Sequence, residues 1–191
     1  EIFRQASESL IVTNAHAINE GKMPELSVKD NDFFFISRRT DREAAQTVAD
    51  LYSNRLPRAY GEAEREGIQV ISPSRRGEAG TENLNIILQA ALNPPAHGKK
   101  EIKFRDILFR EGDRVMQTRN NYDLEWTDED ESKVGQGIFN GDIGVIREIR
   151  RASVTVDFDG RIVDYDYDLL EDLETAYAVT VHKSQGSEYR T

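Results

Sequence analysis

Apolar and polar positions alternate in step near the end of the chain. Tyr177, Val179 and Val181 are separated by Ala178 and Thr180, the period of a strand. Polarity then changes abruptly to His182-Lys183-Ser184-Gln185-Gly186-Ser187-Glu188. Earlier segments change period. Leu10, Ile11 and Ile18 give residues 1–21 a helical face, with Ser7 as the expected cap and Gly21 just past its end. Residues 22–32 are a polar link. The run Phe33-Phe34-Phe35-Ile36, bounded by polar residues, predicts a fully buried central strand. Residues 41–60 are predicted helical, with Ala45, Val48, Ala49, Leu51 and Tyr52 on one face. Ile68-Gln69-Val70-Ile71 is the next strand, and it runs into a loop over residues 72–81. Thr81 is the expected cap of a helix bearing Leu84, Ile87, Leu88 and Ala91, which Asn93-Pro94-Pro95 ends.

Near Phe104 the texture changes from strand–helix alternation to strands alone. Arg114-Val115-Met116-Gln117-Thr118 is one candidate strand, and Phe139-Asn140-Gly141-Asp142 reads as a turn. The segments 153–158 and 161–167 flank Asp159-Gly160, a strong hairpin signal. Several short strands in about sixty residues imply a small barrel. The chain then returns through Leu169-Leu170-Glu171 to the strand at 177. The pattern predicts an α/β domain with a parallel sheet, interrupted by an inserted β barrel.

The chain has 191 residues, 38% hydrophobic and 31% charged, the composition of a globular protein. No apolar run approaches the ~20 residues of a membrane helix. There are no cysteines, which excludes disulfides and thiolate metal sites and agrees with a cytoplasmic location. The net charge of −10 argues against a basic-patch binder, but it is unevenly distributed. Residues 1–120 hold 18 basic and 18 acidic side chains, whereas residues 121–174 hold 5 and 16. Six carboxylates, Asp123, Glu125, Asp128, Glu129, Asp130 and Glu131, read as a solvated acidic loop rather than a metal site.

Two stretches carry candidate chemistry. A buried strand ending in a donor-rich loop with a glycine is where open α/β sheets bind ligands, which points to residues 177–189. The 72–81 loop holds two glycines ahead of a helix N-terminus, an arrangement that suits a phosphate. It lacks the Gly-Lys-Ser/Thr end of a triphosphate cradle, and by itself it reads as an ordinary strand–helix connection.

The string Thr-x-His-Lys-x-Gln-Gly-x-Glu over 180–188 closely resembles motif V of superfamily 1 DNA helicases of the RecD/TraA type. Phe3-Arg4-Gln5 resembles motif IV, the segment 72–85 resembles the family's DNA-track loop, and 139–146 with the following hairpin resembles its SH3-like insertion. The resemblance implies a second RecA-like motor domain over 1–104 and 171–191, with an SH3-like domain over 105–170. The implied parent is an ATP-dependent DNA helicase in which two RecA-like lobes close on ATP and Mg²⁺. By that resemblance Arg4 would reach the γ-phosphate as a catalytic contact, and Gly186 and Glu188 would lie toward the nucleotide. Ser72, Arg75, Thr81, Asn120, Thr180, His182, Lys183 and Ser184 would line the single strand. Arg114, Arg119 and Asn121 are further candidates for a narrow contact of the barrel with DNA.

No Walker A loop and no acidic Mg²⁺ strand end occur in the 191 residues. The chain is thus expected to be inactive as an ATPase by itself and to need the first RecA-like domain of the same protein; other recombination subunits, as in exodeoxyribonuclease V, are a further possible class of partner. Two rival readings remain. A peptide-binding barrel would expose Phe158, Tyr165 and Tyr167. A nuclease would order its carboxylates.

Overall fold

The computed structural model describes residues 9–29, 32–130 and 132–185, leaving aside the side chains of 64–66. It has two compact units, Glu1–Arg39 and Thr40–Thr191. In the first, helix α1 spans Leu10–Asn19. Its N-cap is Ser9, whose hydroxyl accepts from the Val12 amide. Asp32 accepts from the Leu10 and Ile11 amides at 2.9 and 3.2 Å, which places a carboxylate on the positive end of the helix. Position 7, the expected cap, lies outside the described residues. At the other end Gly21 takes φ 72, and Lys22 N donates to Ala17 O at 2.8 Å. That pattern closes a helix where only glycine is unstrained.

The run Phe33-Phe34-Phe35-Ile36 is not a buried strand. It joins no ladder, and Phe34 and Phe35 are more than half exposed. Among the described residues the first unit holds one helix and no strand, so the run has no sheet to enter.

The second unit opens with α2 (Asp41–Asp50), a π-helical turn over Leu51–Arg55, and α3 (Leu56–Tyr60). Thr40 caps α2 by accepting from Glu43 N at 3.2 Å. The wide turn follows from Pro57, which lacks an N–H and crowds the preceding turn, so that Leu56 N bonds back to Leu51 O. Strand β1 (Val70–Ser72) is followed by α4 (Thr81–Leu92). The helix is capped by Gly80 rather than by Thr81. A Cβ at Gly80 would lie 2.4 Å from Arg76 O, so the loop folds too tightly there for any other residue.

The β segment begins with a hairpin, β2 (Glu101–Phe104) and β3 (Ile107–Arg110). Strands β4 (Arg114–Gln117), β5 (Asn121–Thr127), β6 (Val134–Ile138), β7 (Ile143–Ile149), β8 (Ser153–Phe158), β9 (Arg161–Asp166) and β10 (Leu173–Thr175) follow. They form one seven-stranded sheet in the order β10-β4-β7-β8-β9-β5-β6. Asp159 and Gly160, at φ 54 and 84, make the predicted two-residue turn between β8 and β9. The acidic segment is shorter than expected. Asp123 and Glu125 sit on β5, and Asp128 closes the turn by accepting from Ser132 N and Lys133 N at 2.7 and 3.0 Å. Among the described residues no group of three potential ligands could hold a metal.

Strand β11 (Ala178–Thr180) then pairs parallel with β1, and α5 (Val181–Ser184) follows. Only Ala176 and Tyr177 separate β10, in the antiparallel sheet, from β11, in the parallel pair. Tyr177, Ala178 and Val179 are all buried, so β11 is covered on both faces, as parallel strands are. Tyr177 and Ala178 pack with Ala45, Tyr52, Leu84 and Leu88, while Val179 packs with Met116 of β4.

Asp113, fully buried, ties these parts together. Its carboxylate accepts from Gln89 Nε2 (2.5 Å), Asn93 Nδ2 (2.7 Å), the Arg110 amide (2.7 Å) and Tyr177 Oη (2.9 Å). It thereby joins α4, the β2–β3 hairpin and the approach to β11. Burial pushes its carboxyl above the ordinary value of 3.8, against the pull of the donors from Asn93, Gln89, Arg110 and Tyr177. A raised folded-state value means the folded protein holds the proton more tightly. That contribution is therefore full below the ordinary value and is lost as pH rises through the raised one. Asp113→Ala should remove an acceptor from four donors, of which Gln89 and Asn93 keep Leu108 O and Glu111 O, and lower unfolding stability by roughly 3 kcal/mol. Urea unfolding at neutral pH measures it, and a change below about 1 kcal/mol would contradict the role.

Candidate nucleic-acid interface

The C-terminal ends of β1 and β11 lie side by side. Ser72 and Thr180 are register partners there, so two candidates far apart in sequence become neighbours. Their surroundings differ. Ser72 is buried, and its hydroxyl lies 3.1 Å from Ser74 O and 2.8 Å from Ala79 O, the two carbonyls between which its proton is shared. It also accepts from the Ser74 amide at 3.3 Å. Ser72 braces the 72–81 loop from inside and presents no free hydroxyl to a ligand. Thr81 is buried too. Its amide donates to Ser74 O at 3.0 Å, and the next amide, of Glu82, donates to Arg75 O at 3.1 Å. The first amides of α4 are spent on the loop itself, which removes the phosphate cradle that the glycines suggested.

Arg75 is exposed on that loop. It pairs with Glu82 and with Glu174 of β10, both at 2.9 Å. A phosphate approaching Arg75 would have to compete with two carboxylates already in place.

Thr180 caps α5 by accepting from the Lys183 amide at 3.4 Å. The strand therefore stops at 180, and Val181 starts a helical turn instead of continuing the alternation. His182 is exposed on this turn. Ser184 Oγ donates to Val181 O at 2.8 Å, which closes the turn. Lys183 leans the other way: its ammonium donates to Thr118 O at 3.2 Å and to the Asn140 side chain. Asn120 Oδ1 in turn accepts from the Asn140 amide at 2.9 Å. Lys183, Asn140 and Asn120 thus form one chain of hydrogen bonds between α5 and the end of the antiparallel sheet. Asn140 was missed as a member because it reads in sequence only as a turn residue.

Other candidates are engaged elsewhere. Arg114 donates to Ile68 O at 3.0 Å, inside the molecule. Arg119 lies 3.5 Å from both Glu171 and Asp172. Asn121 accepts from Asp123 N at 3.2 Å. Arg4, Gly186 and Glu188 lie outside the described residues, and so does the nucleotide side they were expected to form. On the sheet, Arg147, Arg150 and Arg161 each face carboxylates: Asp157 and Glu129, Glu148 and Asp164, and Asp142. The aromatics that a peptide groove would need are largely inside, since Phe158 and Tyr165 are fully buried. Burial also pushes the Tyr165 phenol upward, with the Asp172 charge adding to the shift.

The strand itself is fixed by an amide. Asn85 of α4 donates to Ala178 O at 3.0 Å and accepts from Ala178 N at 2.8 Å, the two bonds a further strand would make. In sequence Asn85 is a polar residue beside Leu84 and Leu88, an anomaly that signals such a role.

Comparison with known proteins gives these features a setting. Residues 84–158 match the family model of the ATP-dependent RecD-like DNA helicase SH3 domain. The chain is 33% identical over 192 residues to the ATP-dependent RecD2 DNA helicase of Deinococcus radiodurans, covering 100% of this chain and 23% of that protein. It is 27% identical over 124 residues to the RecD subunit of the RecBCD enzyme of Buchnera aphidicola, covering 63% of this chain and 19% of the relative. The chain thus spans about a quarter or less of these curated relatives. Among solved structures, the Pif1 helicase from Bacteroides in complex with ADP-AlF3 and single-stranded DNA superposes with a TM-score of 0.51 at 16% identity, over 99% of this chain and 43% of that one. The likeness shows the fold, a RecA-like α/β domain, and the family match adds an SH3-like domain over residues 84–158.

Ser72→Ala should act on the loop rather than on a ligand. Losing the shared donated hydrogen bond and the accepted one should cost roughly 1–3 kcal/mol and speed hydrogen exchange at the Thr81 and Glu82 amides. Unchanged exchange with weakened single-strand binding would return Ser72 to the list of direct contacts.

Proposed function

We propose that this chain, whose resemblance to RecD-like DNA helicases extends over its whole length, supplies the second motor lobe of an ATP-dependent enzyme that binds and moves along single-stranded DNA. One observation supports this most: the motif V strand delivers Thr180, His182 and Lys183 to the C-terminal ends of the parallel pair, beside the SH3-like sheet. That edge is where open α/β sheets hold ligands. Thr180 and His182 would contact the strand's phosphates, and Lys183 would hold the turn against the sheet. ATP and Mg²⁺ would be held mainly by the first RecA-like lobe of the same protein, with Arg4 reaching the γ-phosphate and Gly186 and Glu188 facing the nucleotide. Recombination subunits would be further partners, by analogy with the RecD subunit that the chain resembles.

The barrel, as residues 105–170, would guide DNA narrowly rather than clamp it. Its excess of carboxylates, with Arg147, Arg150 and Arg161 already paired, repels phosphates within about a Debye length, ~8 Å. Among the described residues no helix is long and apolar enough to cross a membrane. A cytoplasmic enzyme is the reading that suits a DNA motor.

In the intact enzyme, Thr180→Ala or His182→Ala should weaken single-strand binding to a similar degree for all sequences, because phosphate contacts carry no base information. Fluorescence anisotropy with several oligonucleotides measures it, and a loss confined to particular sequences would contradict the phosphate assignment. Arg4→Ala should leave DNA binding intact while ATP turnover falls by roughly 10³-fold. Near-normal phosphate release would remove Arg4 from the site. The 191-residue chain alone should release no phosphate from ATP, with or without DNA.

A further inference from the structure

Beside the Lys183 tie, the SH3-like sheet carries two exposed aromatic rings that its own core does not use. Tyr122 is 66% exposed and Phe139 41%. Their centroids are 5.6 Å apart at 70°, an edge-to-face pair. In such a pair one ring offers only an edge to the other, so each keeps at least one face that its partner leaves uncovered.

The pair is held in place by rigid local structure. Phe139 begins the predicted turn, in which its amide donates to Asp142 Oδ2 at 3.0 Å and Asp142 N donates to Phe139 O at 2.9 Å. Gly141 N bonds to Gln117 O and Gln117 N to Asp142 O, both at 2.9 Å, which pins the turn to the end of β4. The Phe139 ring crosses Gly137, where a Cβ would lie 3.0 Å from it. Tyr122 sits where the β5–β6 register shifts, between Asn121 and Glu125, an irregularity that re-aims side chains. Asn120, which accepts from the Asn140 amide, also donates to Tyr122 Oη at 3.4 Å. Two hydrogen bonds therefore lead from Lys183 through Asn140 to Asn120, and a third from Asn120 to the Tyr122 hydroxyl.

We propose that Tyr122 and Phe139 form a stacking platform for the bases of a single strand whose backbone runs past Thr180 and His182. This rests on the DNA-binding reading above and deepens it. Aromatic faces hold unpaired bases without regard to sequence, and they need no cations, which this acidic sheet does not spare. Backbone contact and base contact are thereby divided between the motor edge and the barrel.

The test uses the intact enzyme with two oligonucleotides of equal length, one of thymidines and one of abasic sites. Tyr122→Ala and Phe139→Ala should each weaken binding of the thymidine strand on the order of tenfold and leave the abasic strand unchanged. Tyr122→Phe keeps the ring and should bind both as wild type does, which separates stacking from loss of the hydroxyl. Thr180→Ala should weaken both strands alike. An equal loss on the two strands for Tyr122→Ala, or no loss on either, overturns the platform while leaving the backbone reading intact. Failure of the wild type to bind either strand overturns both.

Discussion

A single buried carboxylate organises this molecule. Asp113 follows Gly112 in a turn and is fully buried, yet it receives donors from α4, from the hairpin and from Tyr177. A charge so placed is tolerable only while every donor stays in position. The helix that follows the 72–81 loop, the β2–β3 hairpin and the approach to β11 therefore cannot move independently without each taking a donor away from it. The sheet backbone adds to this, since Ala176 N donates to Arg114 O and Ile146 N to Asp113 O. Strand β11 is thus mounted on the antiparallel sheet as much as on the parallel pair.

That mounting explains how two architectures cooperate over so short a connection. With two residues between β10 and β11, a displacement of the antiparallel sheet has no slack in which to be absorbed. Lys183 repeats the link past the C-terminal end of the strand, through Thr118 and Asn140. The antiparallel sheet thereby sets where the α5 turn lies, and His182 on that turn is exposed. Acidity elsewhere on the sheet is consistent with this division, because its arginines are absorbed by neighbouring carboxylates and not held ready for phosphates.

Much of the fold was legible because local signals agreed with tertiary ones. Asp159-Gly160 dictates its hairpin through backbone geometry alone, and Gly21 and the prolines after Asn93 end their helices for equally local reasons. The misreadings arise where partners far away in sequence decide. Phe33 to Ile36 has strand composition, but it joins no ladder. Thr81 has the chemistry of a cap, but the close turn at Gly80 takes that position. Ser72 and Arg75 lie on the loop that the pattern predicted, yet their polar groups face inward or toward carboxylates. Asn140 looked like a turn residue and Asp113 drew no reading at all, because nothing in sequence reveals which donors a side chain will meet.

The antiparallel sheet and strand β11 form one cooperative unit through Asp113. Native-state hydrogen exchange on Tyr177→Phe tests it most directly, since that change removes one donor, the Tyr177 hydroxyl, and little volume. Losing a hydrogen bond to a charged group, about 1.5–3 kcal/mol, should speed exchange at Ala178 in β11 and at Ile146 in β7 together, each by roughly ten- to a hundredfold. Faster exchange at Ile146 with Ala178 unchanged, or the reverse, would show that the two parts open separately and would contradict the account.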